Sequence, residues 1–107
     1  MALDLPKLRK LVSLDPADPL SRFALGRKLA EDGLDAEAVE HLQFSNRHAP
    51  EHLATYNVLS QVLIRLGRTE EARAVLKAGI DRVAGVGEGM GRDLGPAMQG
   101  MLSQIGG

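Results

Sequence analysis

Cysteine and tryptophan are absent from the 107 residues, and the aromatic complement is one tyrosine and two phenylalanines. Without thiols there are no disulfides and no thiolate metal sites. Three aromatic rings are too few for a platform on which bases stack. A dominant charge is missing too: 13 basic residues meet 14 acidic ones, for a net charge of -1. That balance leaves no electrostatic footprint for nucleic acid or for a membrane surface. Long apolar runs are lacking as well. Met1 to Leu14 carries Asp4, Lys7, Arg9 and Lys10 among its apolar residues, so it reads neither as a signal-peptide core nor as a span. A cytoplasmic location is expected.

What the chain does contain is a period. Leu25/Leu59, Leu29/Leu63, Gly33/Gly67, Glu37/Glu71, Ala38/Ala72 and Leu42/Leu76 recur as identical pairs at one fixed separation. Self-similarity at such a period marks a stacked array of supersecondary units. Within each unit the chemistry is that of a helix hairpin. Leu25 and Leu29 lie four apart and share one helical stripe. Asp18 is placed to cap that helix, and Pro19 fits its first turn, where a missing N–H costs nothing. Gly33 then supplies the positive φ that helix ends commonly need. Asp35 and Thr69 follow the two stop glycines and are expected to cap the next helices. Glu37, Glu70 and Glu71 fall in first turns, where the helix dipole favours negative charge. Small residues at Gly26/Ser60 and Ala38/Ala72 should let paired helices approach closely.

The periodicity predicts six helices, over 4–14, 18–32, 35–48, 52–66, 69–84 and 94–105. On the first, Leu5, Leu8, Leu11 and Val12 form an apolar stripe expected to pack on the first full unit. Composition changes at Gly85: eight of the twelve glycines lie from there onward, so 85–93 reads as a loop. Met98, Met101, Leu102 and Ile105 then resume helical spacing. That last helix reads either as a cap over the second unit or as a methionine-rich segment that docks on a partner or a second copy.

Leu25-Gly26, Leu29, Gly33, Ala38, Leu42, Ser45 and Pro50 in unit one share slots with Tyr56, Leu59-Ser60, Leu63, Gly67, Ala72, Leu76 and Gly79 in unit two. The pattern resembles the tetratricopeptide repeat, with W-x2-L-G-x2-Y, then A-x3-F, then P. It departs from it where Arg22 stands at the large aromatic, Leu42 and Leu76 at the later one, and Ala84 at the closing proline. The resemblance implies an all-α fold of antiparallel helix hairpins stacked as a short right-handed α-solenoid. One domain of residues 1–107 is expected, with an N-terminal half-repeat at 4–14, repeat one at 19–52, repeat two at 53–86 and a capping helix at 94–105.

In that family the first helix of each unit lines a concave groove. The resemblance therefore implies a partner-binding groove formed by Phe23, Arg27, Asn57, Val58, Gln61 and Arg65, with Glu31 expected to pair with Arg65. Arg27, Asn57 and Gln61 suit hydrogen bonds to a peptide backbone or carboxylate, and Phe23 and Val58 apolar contact. The lysine/asparagine clamp of the chaperone-binding members is incomplete, because Phe23 and Asn57 occupy two of its slots.

Catalysis needs a nucleophile, a base and an orienting group in one concave site. Ser13, Ser21, Ser45, Ser60 and Ser103 all have structural roles open to them. His48 and His52 have a metal-like spacing, but Pro50 separates them onto different helices, and His41 is seven residues from His48. The glycines of 85–91 follow no strand, so they form no phosphate loop. No enzyme activity, cofactor, metal, nucleic-acid partner or membrane partner is expected. The chain reads as a protein–protein interaction module, monomeric or weakly homo-oligomeric, binding another protein or peptide. The alternative is a structural subunit that self-associates through its C-terminal segment. Usage rich in alanine and arginine points to a GC-rich bacterial genome.

Overall fold

Two glycines in the left-handed region, Gly33 at φ 79° and Gly67 at φ 76°, turn the chain from the first to the second helix of each hairpin. The computed structural model describes residues 4–86 and 92–106, and the central part of the expected loop, 87–91, lies outside them. Among the described residues the chain is all-α, with no strand. The helices are α1 (Leu5–Leu14), α2 (Pro19–Glu31), α3 (Asp35–His48), α4 (Leu53–Arg65), α5 (Thr69–Ala84) and α6 (Leu94–Gln104). They fall into two compact units, Met1–Pro50 with α1 to α3 and Glu51–Gly107 with α4 to α6.

Both hairpin turns use one hydrogen-bond pattern. Leu34 N–H donates to Leu29 O at 2.8 Å and Gly33 N–H to Ala30 O at 3.1 Å. Arg68 N–H donates to Leu63 O at 2.8 Å and Gly67 N–H to Ile64 O at 3.0 Å. Each is a Schellman closure, which satisfies two carbonyls that the helix end leaves unbonded. The next helix begins at once, because the carbonyls of Leu34 and Arg68 accept from Ala38 and Ala72.

That overlap corrects the expected caps. Asp35 and Thr69 are the first residues of α3 and α5, and the cap positions fall on Leu34 and Arg68, which make no side-chain cap bond. Turn and helix share one residue, so its backbone conformation is set by the turn rather than by a capping side chain.

Helices α1 and α2 do carry side-chain caps. Asp4 accepts from Lys7 N–H at 3.1 Å to open α1. Asp18 accepts from the N–H groups of Leu20 and Ser21 at 3.2 and 3.3 Å. The Ser21 hydroxyl, bonded to the same carboxylate at 2.6 Å, and then the Leu20 N–H hold Asp18 below the usual carboxylate range.

In the first unit α2 packs on α3, and α1 on α2. Leu25, Leu29, Ala38 and Leu42 are buried. Gly26 makes the close approach possible: a Cβ there would stand 2.7 Å from Leu42 Cγ and 3.3 Å from Ala38 O. On α1, Leu8 and Val12 are buried, while Leu11, about 100° around the helix from Val12, stays 40 % exposed. The stripe expected there is thus narrower than its four apolar residues.

The second unit repeats the hairpin with Leu59, Leu63, Ala72 and Leu76 buried. Ser60, in the slot of Gly26, turns its buried hydroxyl back to Tyr56 O at 2.7 Å. Helix α6 lies against α5 and α4. Its Met98 is fully buried with Tyr56 and Leu76, and Leu94, Met101, Leu102 and Ile105 pack around that cluster.

Candidate functional site: the exposed stripes of the first helices

Helix α2 carries Phe23, Arg27 and Glu31 one turn apart, on a line beside the buried Leu25–Leu29 stripe. Phe23 is 9 % exposed, so what α2 offers to solvent along this line is Arg27 and Glu31. The Arg27 guanidinium carbon lies 5.9 Å from the Phe23 ring centroid, and its Nε is 3.7 Å from Glu31 Oε1. Both charged side chains are well exposed, and such an ion pair contributes little to stability.

Helix α4 carries Asn57, Gln61 and Arg65 at the same four-residue spacing, with Val58 beside Asn57. Gln61 and Arg65 are exposed, and Asn57 and Val58 are half-buried. The Asn57 Oδ1 is buried without a hydrogen-bond partner among the described residues. Arg27 and Gln61 thus hold the same register in their two hairpins, each exposed and each two residues from a buried leucine. Within each unit the expected residues share one helix face.

A polar cluster in the first unit was not foreseen from the residues alone. The Arg9 guanidinium of α1 grips the Glu37 carboxylate of α3 with both arms, one bond measuring 3.1 Å. Arg9 therefore holds Glu37 well below the usual carboxylate range. His41, one turn further along α3, has Nε2 3.8 Å from Glu37 Oε2 and Nδ1 3.4 Å from Arg22 Nη1. Because a guanidinium only donates, Nδ1 is the acceptor and the proton sits on Nε2. Burial, and then the Arg22 charge, lower the His41 pKa.

Arg22 itself donates Nε to Pro16 O at 2.9 Å and lays its guanidinium 4.4 Å from the Phe44 ring centre. The ring of His48 stacks against Phe44 at 4.2 Å. The position that holds a large aromatic in the repeat pattern is thus filled by a cation on an aromatic face. The only signal in the sequence was the mismatch at Arg22.

The register mates Glu37 and Glu71 have different partners. Glu71 is gripped by Arg68 of its own turn, at 2.9 Å through one arm. Leu34 stands at the matching place in the first turn, which leaves Glu37 for Arg9. Three serine hydroxyls have structural tasks: Ser13 donates to Lys10 O, Ser21 to Asp18 and Ser60 to Tyr56 O, whereas the buried Ser45 Oγ has no hydrogen-bond partner among the described residues. His52 bonds Thr55 Oγ1 at 2.8 Å just before α4. Among the described residues no three His, Cys, Asp or Glu side chains are grouped to hold a metal, and no helix is long and apolar enough to cross a membrane.

A family model for the tetratricopeptide repeat matches residues 29–85. The chain belongs to the tetratricopeptide-repeat family. Among solved structures it is similar to SycD, the type III secretion translocator chaperone of Yersinia enterocolitica. That match has a TM-score of 0.86 at 19 % identity, over 94 % of this chain and 68 % of that one. It is similar to the TPR2B domain of yeast Sti1, in a structure described as a complex with pHsp70. There the TM-score is 0.80 at 17 % identity, over 94 % and 80 % of the two chains. It also resembles the Sgt2 TPR domain of Aspergillus fumigatus, with a TM-score of 0.76 at 16 % identity, over 94 % and 62 %. At these identities the likeness is one of fold. No curated protein sequence matches the chain.

Proposed function

We propose that the chain is a non-enzymatic protein–protein interaction module that takes an extended or helical segment of a partner against the first helices of its repeats. Arg27 on α2, and Gln61 and Arg65 on α4, supply hydrogen bonds to partner backbone or carboxylate, with the half-buried Asn57 and Val58 beside them, while Phe23 is buried next to the Arg27 guanidinium and does not meet the partner. The observation that carries this reading is the register of Arg27 and Gln61. Two long polar side chains recur at one slot of a hairpin whose neighbouring slots are buried leucines. Fold neighbours described as a chaperone and as a complex with pHsp70 agree with a protein partner. The net charge of -1 argues against nucleic acid. A soluble, cytoplasmic protein, monomeric or weakly self-associating, is part of this reading.

A photo-crosslinking residue placed at Gln61 or Arg27 should capture a partner protein in cells of the native organism, and one at the exposed Glu40 of α3 should not. Equal capture from Glu40, or none from either stripe position, refutes the assignment. Self-association through the C-terminal segment, the alternative, requires α6 to give up contacts that it already makes inside its own unit. Light scattering separates the two, since a concentration-independent monomer counts against assembly.

A further inference from the structure

Helix α6 ends as α2 and α4 end. Gly106, two residues past it, has φ 79°, against 79° for Gly33 and 76° for Gly67. Its N–H donates to Ser103 O, three residues back, as that of Gly33 does to Ala30 O and that of Gly67 to Ile64 O. The residue before each glycine also bonds alike: Asp32 to Lys28 O and Ala30 O, Leu66 to Val62 O and Ile64 O, Ile105 to Met101 O and Ser103 O. A left-handed glycine closes many helices, yet here it is selective. Among the described residues these three glycines alone have positive φ, so α1, α3 and α5 end otherwise, α5 even though Gly85 follows it at φ -88°.

Setting Gly106 level with Gly67 puts Met98, Gly100 and Gln104 in the slots of Leu59, Gln61 and Arg65. Burial follows the slots: Met98 is buried like Leu59, and Gly100 and Gln104 are exposed like Gln61 and Arg65. Two departures point one way. Gln99 is exposed where Gly26 and Ser60 are buried, and Leu102 is half-buried where Leu29 and Leu63 are fully so. The slot of Gly26 is the one that a second helix approaches, since a Cβ there would meet Leu42 of α3. What α6 lacks is such a second helix. The glycine-rich stretch 85–93 lengthens the connection, so this third occurrence falls off the period of the first two.

We propose that α6 is the first helix of a third, incomplete repeat and carries the partner-binding stripe onward from α4, with Gln104 as its polar contact. The inference rests on the reading of the first-helix stripes as the binding surface. Helix α6 packs on both α4 and α5, so the continuation lies within the second unit. No residue of α6 is charged, and a partner charge laid against it would lose water without gaining a counter-charge. The stretch of partner over α6 is therefore uncharged, and the Gln104 amide serves it as both donor and acceptor. At Gly100, in the slot of Gln61, nothing lies within 4 Å of a built Cβ, so a partner backbone can come close there.

Two experiments test the two halves apart. In the first, the sequence of residues 68–84 is appended directly after Gly106 in the full chain carrying Gln99→Ser, which restores the small slot. The appended segment should add helical circular dichroism and raise the thermal midpoint by at least about 4 °C, whereas a scrambled segment of the same composition should do neither. A helix this short is marginal alone, so the added signal reports docking on α6. Equal behaviour of the two segments overturns the third repeat. In the second, a photo-crosslinking residue at Gln104 should capture the same protein, identified by mass spectrometry, as one at Gln61, and one at Gln99 should not. Capture from Gln61 without Gln104 overturns the continuation onto α6 and leaves the stripe reading standing. Capture from neither overturns both. Capture from Gln104 without Gln61, or equal capture from Gln99 and Gln104, overturns the continuation as well.

Discussion

Gly79 of α5 and Met98 of α6 share one volume: a Cβ on the glycine would lie 2.7 Å from the thioether sulfur and 2.7 Å from Tyr56 Cβ. The methionine end can swing aside, but the Tyr56 Cβ is tied to its backbone and cannot. Gly79→Ala therefore sets a helix-propensity gain of about 1 kcal/mol against overpacking of about 1–3 kcal/mol. A net loss of stability is expected, read by denaturant titration. A stabilised variant would show that α4 does not approach α5 this closely at Tyr56.

The two hairpin glycines provide an internal control. Gly33 and Gly67 have φ of 79° and 76°, and neither has an atom within 4 Å of a built Cβ. With no clash, the cost of alanine is that of the left-handed backbone, about 1–2 kcal/mol. Gly33→Ala and Gly67→Ala should lose the same amount within error, since the two turns share one hydrogen-bond pattern. A difference above about 1 kcal/mol would mean that the turns are coupled to different surroundings.

Burial and exposure on the first helices separate folding from binding. Leu29 and Leu63 are 0 % and 1 % exposed. Their replacement by alanine should cost about 2–5 kcal/mol, seen as an earlier denaturation midpoint. Arg27→Ala and Gln61→Ala should change stability by less than about 0.5 kcal/mol while weakening partner capture. Comparable destabilisation from both pairs would place Arg27 and Gln61 in the packing rather than on the binding stripe.

The His41 cluster makes the first unit sensitive to pH. Arg9 of α1, Arg22 of α2, and Glu37 and Glu40 of α3 all act on this imidazole. Burial comes first and Arg22 next in lowering its pKa from the ordinary 6.5. A lowered folded-state pKa means that the unfolded chain binds the proton more readily, so stability falls with acid. The contribution is complete above the unfolded value and is lost as pH drops below it and through the folded pKa. Thermal midpoints measured on either side of pH 6.5 should show this slope, and His41→Gln should flatten it. Glu37, lowered by Arg9, adds a further loss only in stronger acid, below its ordinary 4.5. An unchanged slope in the His41→Gln protein would remove His41 as its source.

The positions of the helices were readable because a repeat states each rule twice. Leu29 and Leu63, Gly33 and Gly67, and Ala38 and Ala72 are weak signals singly and strong together. The caps of α3 and α5 differ from the expected ones for a physical reason. After each glycine the backbone itself closes the turn through Leu34 and Arg68, so the cap position falls before Asp35 and Thr69. Arg22 shows the other limit, since only coordinates reveal that it covers Phe44 and bonds Pro16 O. Of the proposed binding residues, the sequence placed Arg27, Gln61 and Arg65 on exposed lines, whereas the burial of Phe23 depends on packing that periodicity does not report.

By itself the sequence determined the helical period, the two glycine turns and which leucines turn inward, because these follow from local backbone preferences and an apolar stripe repeated once. Tertiary structure alone decided which partner each charge takes, as with Glu37 and Arg9 against Glu71 and Arg68. It alone decided that Met98 fills the space left by Gly79. The Glu37–Arg9 and Gly79–Met98 contacts each join residues on different helices, where distance in space is set by packing and not by separation along the chain.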